Sequence, residues 1–346
     1  MCFFSTRQPT AAVYGSFSAS SSDLPESFMR IGEIIEAQNT AISFEFFPPK
    51  NETGWDKLFN TISHLVPLNP SFASVTYGAG GTTRQRTHEL VARLKKETSV
   101  PVAAHLTCVG SHRDEIQRIL ARYSELRVNN IVALRGDATD PDGAPPVNHF
   151  TYAADLVAFI RNRFPQMHIG VAGYPEGHPD TDNRLLEMDY LKAKVDAGAD
   201  YIVTQLFFDN RDFYDFCERC DLAGIRVPII AGIMPVTSLT GMKRMAELAK
   251  RSRFPSGLLR AVHRAQGKEY VKRVGIHWAA EQVRDLIDNQ VAGVHFYTLN
   301  NSDASLRICE TLGLRDFSKV IGPNVEAIRN QTKSRRLAAI MMATDI

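Results

Sequence analysis

The sequence predicts an α/β protein whose eight parallel strands and intervening helices close into a (β/α)8 TIM barrel, with an extra helix before the last strand. Between Ala41 and Leu314, short apolar runs rich in β-branched or aromatic residues alternate with longer amphipathic stretches, the pattern of repeated βα units. Eight such runs occur, the number that closes a barrel of this kind. The length of 346 residues accommodates the roughly 250 residues of one barrel plus insertions. A doubly wound open sheet fits less well. Its Gly-rich candidate, Gly78-Ala79-Gly80-Gly81-Thr82-Thr83, lacks the third glycine of a dinucleotide fingerprint, and no P-loop sequence is present.

In chain order, the run 42–46 (Ile-Ser-Phe-Glu-Phe) leads to a helical pattern at 56–65, and 72–77 (Phe-Ala-Ser-Val-Thr-Tyr) to one at 84–97. The strand candidate 102–107 precedes a helix at 113–126, and 130–135 precedes one at 152–163. Next come 168–173 with a helix at 186–197, and 201–207 (Tyr-Ile-Val-Thr-Gln-Leu-Phe) with one at 212–222. The run 228–233 (Pro-Ile-Ile-Ala-Gly-Ile) is followed by 239–249 and then by the extra helix at 268–289. The last strand, 293–299, precedes 304–312. Residues 1–30 are expected to be a flexible Ser-rich N-terminal tail, 31–316 the catalytic barrel, and 317–346 a C-terminal tail. The first 22 residues lack Asp and Glu, as organelle transit peptides do, but the single Arg7 favours a disordered tail.

Composition narrows the function. Hydrophobic residues at 44% and charged residues at 23% exclude a wholly disordered or fibrous chain. A net charge of +2 without long like-charged runs removes the footprint of nucleic-acid binding. No apolar run reaches the length of a membrane-spanning helix. Five scattered cysteines indicate a reducing compartment, so a soluble cytoplasmic protein is expected. Cys217 and Cys220 have redox spacing, yet they share a helical face with Phe213 and Phe216 and read as core. The histidines show no zinc-motif spacing, and no metal is expected.

A barrel places its active site at the carboxyl ends of the strands. The polar residues there are Glu45, Thr76, His105, Arg135, Asp137, Tyr174, Glu176, His178, Gln205 and Tyr297. Glu45 lies among Phe44, Phe46, Phe47, Pro48 and Pro49, where desolvation would raise its pKa and suit it to general acid work. The alternative is an ion pair with Arg135 or another rim cation. Asp137 would add a second, ionised carboxylate.

These residues fall in motifs: Ser43-Phe44-Glu45-Phe46-Phe47-Pro48-Pro49, Val75-Thr76-Tyr77-Gly78-Ala79-Gly80-Gly81, His105-Leu106-Thr107-Cys108, Ala133-Leu134-Arg135-Gly136-Asp137, Tyr174-Pro175-Glu176, Thr204-Gln205 and His295-Phe296-Tyr297-Thr298-Leu299-Asn300. In their order and spacing the chain resembles the methylenetetrahydrofolate reductase family over 42–314. The resemblance implies FAD in the barrel, NADH or NADPH as co-substrate, a folate substrate, ping-pong hydride transfer and a homo-oligomer. It implies that Glu45 protonates the folate N10, that Asp137 lies near flavin and pterin, and that Gln205 and Tyr297 meet substrate. It implies FAD contacts for Thr76, Tyr77, Ala79, His105, Arg135, Gly136, Asp137, Tyr152, Tyr174, His178 and Lys194, with Arg135 and Lys194 on the pyrophosphate. Three positions depart from the family pattern: Asn301 replaces an Arg associated with the folate glutamate tail, Leu239 an aromatic, and Ala193 a basic residue. The regulatory domain of animal and fungal relatives has no counterpart, so feedback by S-adenosylmethionine is not expected.

Overall fold

The computed structural model describes residues 30–77, 81–109, 111–136 and 150–319, without the side chains of 81–83 and 319. The strands are β1 (Ala41–Phe46), β2 (Phe72–Val75), β3 (Val102–Thr107), β4 (Asn130–Leu134), β5 (His168–Gly173), β6 (Tyr201–Thr204), β7 (Ile229–Ile233) and β8 (Gly293–Tyr297). They form a closed barrel in sequence order, with every neighbouring pair parallel and β8 returning to β1. The helices are α1 (Ile31–Ala37), α2 (Gly54–Leu65), α3 (Gly81–Glu97), α4 (Arg113–Glu125), α5 (Ala153–Arg163), α6 (Arg184–Asp196), α7 (Asn210–Leu222), α8 (Leu239–Leu248), α9 (Ser256–Arg264), α10 (Lys268–Asp288) and α11 (Asp303–Thr311). The extra helix before the last strand is α10.

Alternation along the strands divides the side chains between two cores. On the outer face, Ile42, Phe44 and Phe46 of β1, Ala73 and Val75 of β2 and Val294 and Phe296 of β8 join the large cluster packed against the helices. On the inner face, Ala41, Phe72, Ala103, Val132, Tyr201, Val203 and Ile230 form a second cluster. Above this apolar floor the barrel holds Ser43, Ser74 and His295, all buried. Barrels of this kind are usually filled with apolar side chains, and this middle layer departs from that rule.

Two helices were not foreseen. Helix α1 inserts Ile31 and Ile35 into the inner cluster, closing the amino-terminal end of the barrel. The Asn130 side chain, at the start of β4, accepts the Ile31 N–H at 3.0 Å and fixes the helix there. Helix α9 lies beyond α8, so β7 is followed by three helices where the sequence suggested two. Strand β6 is shorter than expected. Gln205 N–H still reaches the Gly173 carbonyl at 2.8 Å, but the Gln205 side chain then takes the Leu206 N–H at 2.9 Å and the ladder stops.

Cys220 is buried and Cys217 packs against the outer core. Burial pushes both thiols up to about 12, consistent with core rather than redox cysteines. Among the described residues no helix is long and apolar enough to cross a membrane, and no group of His, Cys, Asp and Glu could hold a metal ion.

Candidate active site

The strand ends bring Glu45, His105, His295 and Tyr297 together at the carboxyl-terminal mouth. Register sets this arrangement: Glu45 of β1 pairs with Ser74 of β2 on one side and with Tyr297 of β8 on the other. Glu45 Oε2 lies 3.5 Å from His105 Nε2 and 3.8 Å from His295 Nε2, and the Ser74 hydroxyl donates to it at 3.5 Å. His295 is clamped from below, with Nδ1 2.7 Å from the Ser43 hydroxyl and Nε2 3.2 Å from that of Ser74. Its ring stacks on Phe72 at 5.7 Å. Glu45, two imidazoles and two serines thus form one contiguous polar cluster running from the mouth into the barrel.

Burial does push the Glu45 carboxyl up, as expected, but hydrogen bonding to His295, the positive potential of His105 and His295 and the Ser74 hydroxyl outweigh it. Its pKa is lowered, and the cluster holds a carboxylate. The expected net rise is therefore corrected. Phe44 and Phe46, the apolar neighbours in sequence, point to the opposite face of β1, so Glu45 feels the barrel interior instead. Burial holds the His105 pKa down, against the opposing pull of Glu45. Tyr297 donates its hydroxyl to the Thr204 carbonyl at 2.6 Å, bridging β8 to β6 over Gly232 of β7. A Cβ on Gly232 would fall 2.2 Å from that carbonyl, so glycine is required for this close approach.

Beside the cluster lies a cationic rim. The Arg135 guanidinium pairs with Asp180 at 2.6 Å, and Lys194 Nζ donates to the Ala172 carbonyl at 2.6 Å. His178 feels the charge of both and lies edge-on to Tyr174, with ring centroids 4.6 Å apart. Burial lowers the His178 pKa, and the charges of Arg135, Lys194 and Arg251 lower it further against the opposing pull of Asp180. Burial brings the Lys194 ammonium down to about 8. Gly136 takes φ 84°, and a Cβ there would meet Val109 at 2.9 Å, which keeps the end of β4 close to β3. The Cys108 thiol reaches the carbonyls of Arg135 at 3.7 Å and Tyr152 at 3.8 Å, drawing the start of α5 to the same edge.

The rim suits a group that carries an anionic linker and a polar ring system. Lys194 is a buried ammonium whose hydrogen bond goes to a carbonyl, an arrangement that an anion would improve. The Tyr77 hydroxyl is buried with no hydrogen-bond partner among the described residues, leaving a donor for a ligand. Thr76 follows β2, with its N–H on the Phe46 carbonyl at 2.9 Å. Gln205 is part-buried, its side-chain oxygen engaged by Leu206. Ala79 and Asp137 lie outside the described residues.

Ser43, Ser74 and His295 are site residues that sequence reasoning missed. Their signal was the two-residue period: Ser43 precedes Glu45 by two positions and His295 precedes Tyr297 by two, so each shares the inward face of its strand. At the departures, the Asn301 side chain accepts the Asp303 N–H at 3.0 Å at the start of α11, and Arg307 pairs with Asp303 at 3.1 Å. Leu239 opens α8 half-exposed.

Residues 30–313 match the family model described as methylenetetrahydrofolate reductase. The 5,10-methylenetetrahydrofolate reductase of Salmonella typhimurium is 41% identical over 275 residues, covering 79% of this chain and 91% of that enzyme. Methylenetetrahydrofolate reductase (NADH) 1 of Arabidopsis thaliana is 38% identical over 306 residues, and the matched region spans 84% of this chain and about half, 51%, of that protein. A Clostridium thermocellum protein whose structure holds two copies of 5-methyl-5,6,7,8-tetrahydrofolic acid shares the fold at TM-score 0.56 and 13% identity, covering 82% of this chain and 98% of that one. On the family match across the whole barrel, the chain belongs to the methylenetetrahydrofolate reductase family.

Proposed function

We propose that the chain reduces 5,10-methylenetetrahydrofolate to 5-methyltetrahydrofolate, with FAD as cofactor and NADH or NADPH as reductant, the nicotinamide leaving before the folate enters. The observation that carries this is the cluster at the mouth: one carboxyl, Glu45, within 3.8 Å of two imidazoles, beside a cationic rim. FAD, when bound, supplies the hydride transfer that no side chain performs. Arg135 and Lys194 would hold its pyrophosphate, and Tyr77, Tyr174 and His178 would flank it.

Glu45 delivers a proton to N10 of the folate. A pterin seated over the mouth adds to the burial that already opposes ionisation of Glu45, so proton uptake there accompanies substrate binding. His105 and His295 are the groups close enough to pass that proton on, with Ser43 and Ser74 holding His295 in place. Gln205 presents an amide, donor and acceptor together, which suits a site that takes two substrates in turn. Asp137 is assigned to the flavin and pterin side of the same site.

The test is an anaerobic titration of the purified protein. A flavin band that bleaches with NADH or NADPH and returns with methylenetetrahydrofolate establishes both halves. Bleaching without return keeps a flavoenzyme and removes the folate. A colourless protein that binds no added FAD overturns the proposal.

A further inference from the structure

Glu176, in the loop between β5 and α6, is a strand-end carboxyl to which the proposed reaction gives no part. Its side chain is 9% exposed and packs against the connector between α8 and α9. Oε1 accepts the Arg253 N–H at 2.8 Å, and Oε2 is buried with no hydrogen-bond partner among the described residues. The charged groups facing it are Arg253, with Nε 3.9 Å away, and Asp212 and Asp209 at the start of α7, which lie 2.8 and 3.8 Å from the Arg253 guanidinium. Arg211 also pairs with Asp209.

From this contact a short chain of bonds leads to the mouth. Ser252, next to Arg253, donates its hydroxyl to the Leu206 carbonyl at 2.9 Å. The Leu206 N–H in turn holds the Gln205 side-chain oxygen at 2.9 Å. Arg251 ties the same connector to the β5–α6 loop through Asp182 at 2.6 Å. The cavity between Tyr174, Glu176, Gln205 and Ser252 measures about 20 Å³, room for one water and no larger ligand.

We propose that Glu176 is a positioning residue: its carboxyl clasps the α8–α9 connector and, through Ser252 and Leu206, sets the orientation of the Gln205 amide, making substrate affinity depend on pH. The proposal rests on Gln205 meeting substrate as proposed above. Burial, reinforced by Asp212 and Asp209 against the Arg253 N–H and the Arg253 charge, pushes Glu176 up to about 7. Protonated, the carboxyl suits its buried position and still accepts the Arg253 N–H. Ionised, it places a charge beside two carboxylates with one oxygen unpaired, and the clasp loosens.

The experiment combines steady-state kinetics of the holoenzyme from pH 6 to 8 with amide hydrogen exchange, expressed as protection factors, at Leu206 and Arg253. The wild type is expected to show a several-fold rise in KM for the folate through pH 7, little change in kcat, and falling protection at both amides. Glu176→Gln, a neutral acceptor at every pH, should keep the low-pH KM and the high protection throughout. Ser252→Ala should leave Arg253 protection pH-dependent while KM stays high and flat. Protection that ignores pH in the wild type, or a Glu176→Gln enzyme that retains the wild-type inflection, overturns the proposal. If protection responds as stated but no folate is turned over, the clasp stands and the assigned substrate falls.

Discussion

At Glu45 the local sequence and the folded environment point in opposite directions. The flanking phenylalanines suggest a desolvated acid, but a strand sends alternate side chains to opposite faces, and the inward neighbours of Glu45 are imidazoles and hydroxyls from β2, β3 and β8. Glu45→Gln is expected to lower folate-dependent flavin reoxidation by about 10²- to 10⁴-fold, the usual span of general acid catalysis, and to leave reduction by the nicotinamide near wild type. Stopped-flow absorbance of each half separates the two. Lys194 offers a second check. Its pKa is depressed from 10.5 to about 8, so the unfolded chain binds more protons over that range. Stability is thus lost as pH falls from 10.5 through 8, and the full cost is present at pH 7. Lys194→Met should raise the melting temperature of the FAD-free protein by roughly 4 °C while weakening FAD binding by about tenfold or more. Melting curves with and without FAD measure both. The identity of the rim residues was legible in the sequence because strand ends of a barrel converge; their protonation was not, because it depends on which strands become neighbours.

Among the elements, strands were legible from composition and boundaries were not. β6 reads as continuous to Phe207, yet Gln205 ends it by accepting the next residue's N–H on its own side-chain oxygen. The Ile31, Ile34 and Ile35 spacing that marks α1 is present in the sequence, but seven residues beside a Ser-rich lead carry little periodic signal. The helix matters to the fold all the same. Ile31→Ala should cost about 2–5 kcal/mol, as a large-to-small change at a fully buried site does. Urea denaturation should show this with KM for both substrates unchanged, since α1 lies at the end opposite the mouth.

For the molecule as a whole, two buried groups give pH dependences of opposite sign. Burial lowers His88 to about 4, so its contribution is present above 6.5 and is lost as pH falls from 6.5 through 4. Glu176 is raised to about 7, so its contribution is present below 4.5 and is lost as pH rises from 4.5 through 7. Their slopes oppose between pH 4.5 and 6.5. His88→Gln, which retains an acceptor for the Tyr123 hydroxyl now 2.8 Å from Nδ1, should make the melting temperature fall with pH in that interval. Glu176→Gln should make it climb. A pH series of thermal melts on the two variants reads the signs directly. Closure of the sheet was legible at this scale because eight βα units leave no free edge to explain. The polar middle layer was not, since serines and a histidine inside strands look like interruptions until the barrel sets them side by side.

Helix α1 makes the barrel a cup rather than a tube. With its base stopped by Ile31 and Ile35 over a greasy floor, the Ser43–His295–Glu45 set opens, among the described residues, toward the carboxyl-terminal mouth, the end at which a barrel's substrate enters. A seated ligand is then also a cork: the proton taken up as it arrives can be redistributed within the set during that visit, and exchange with solvent resumes when the ligand departs.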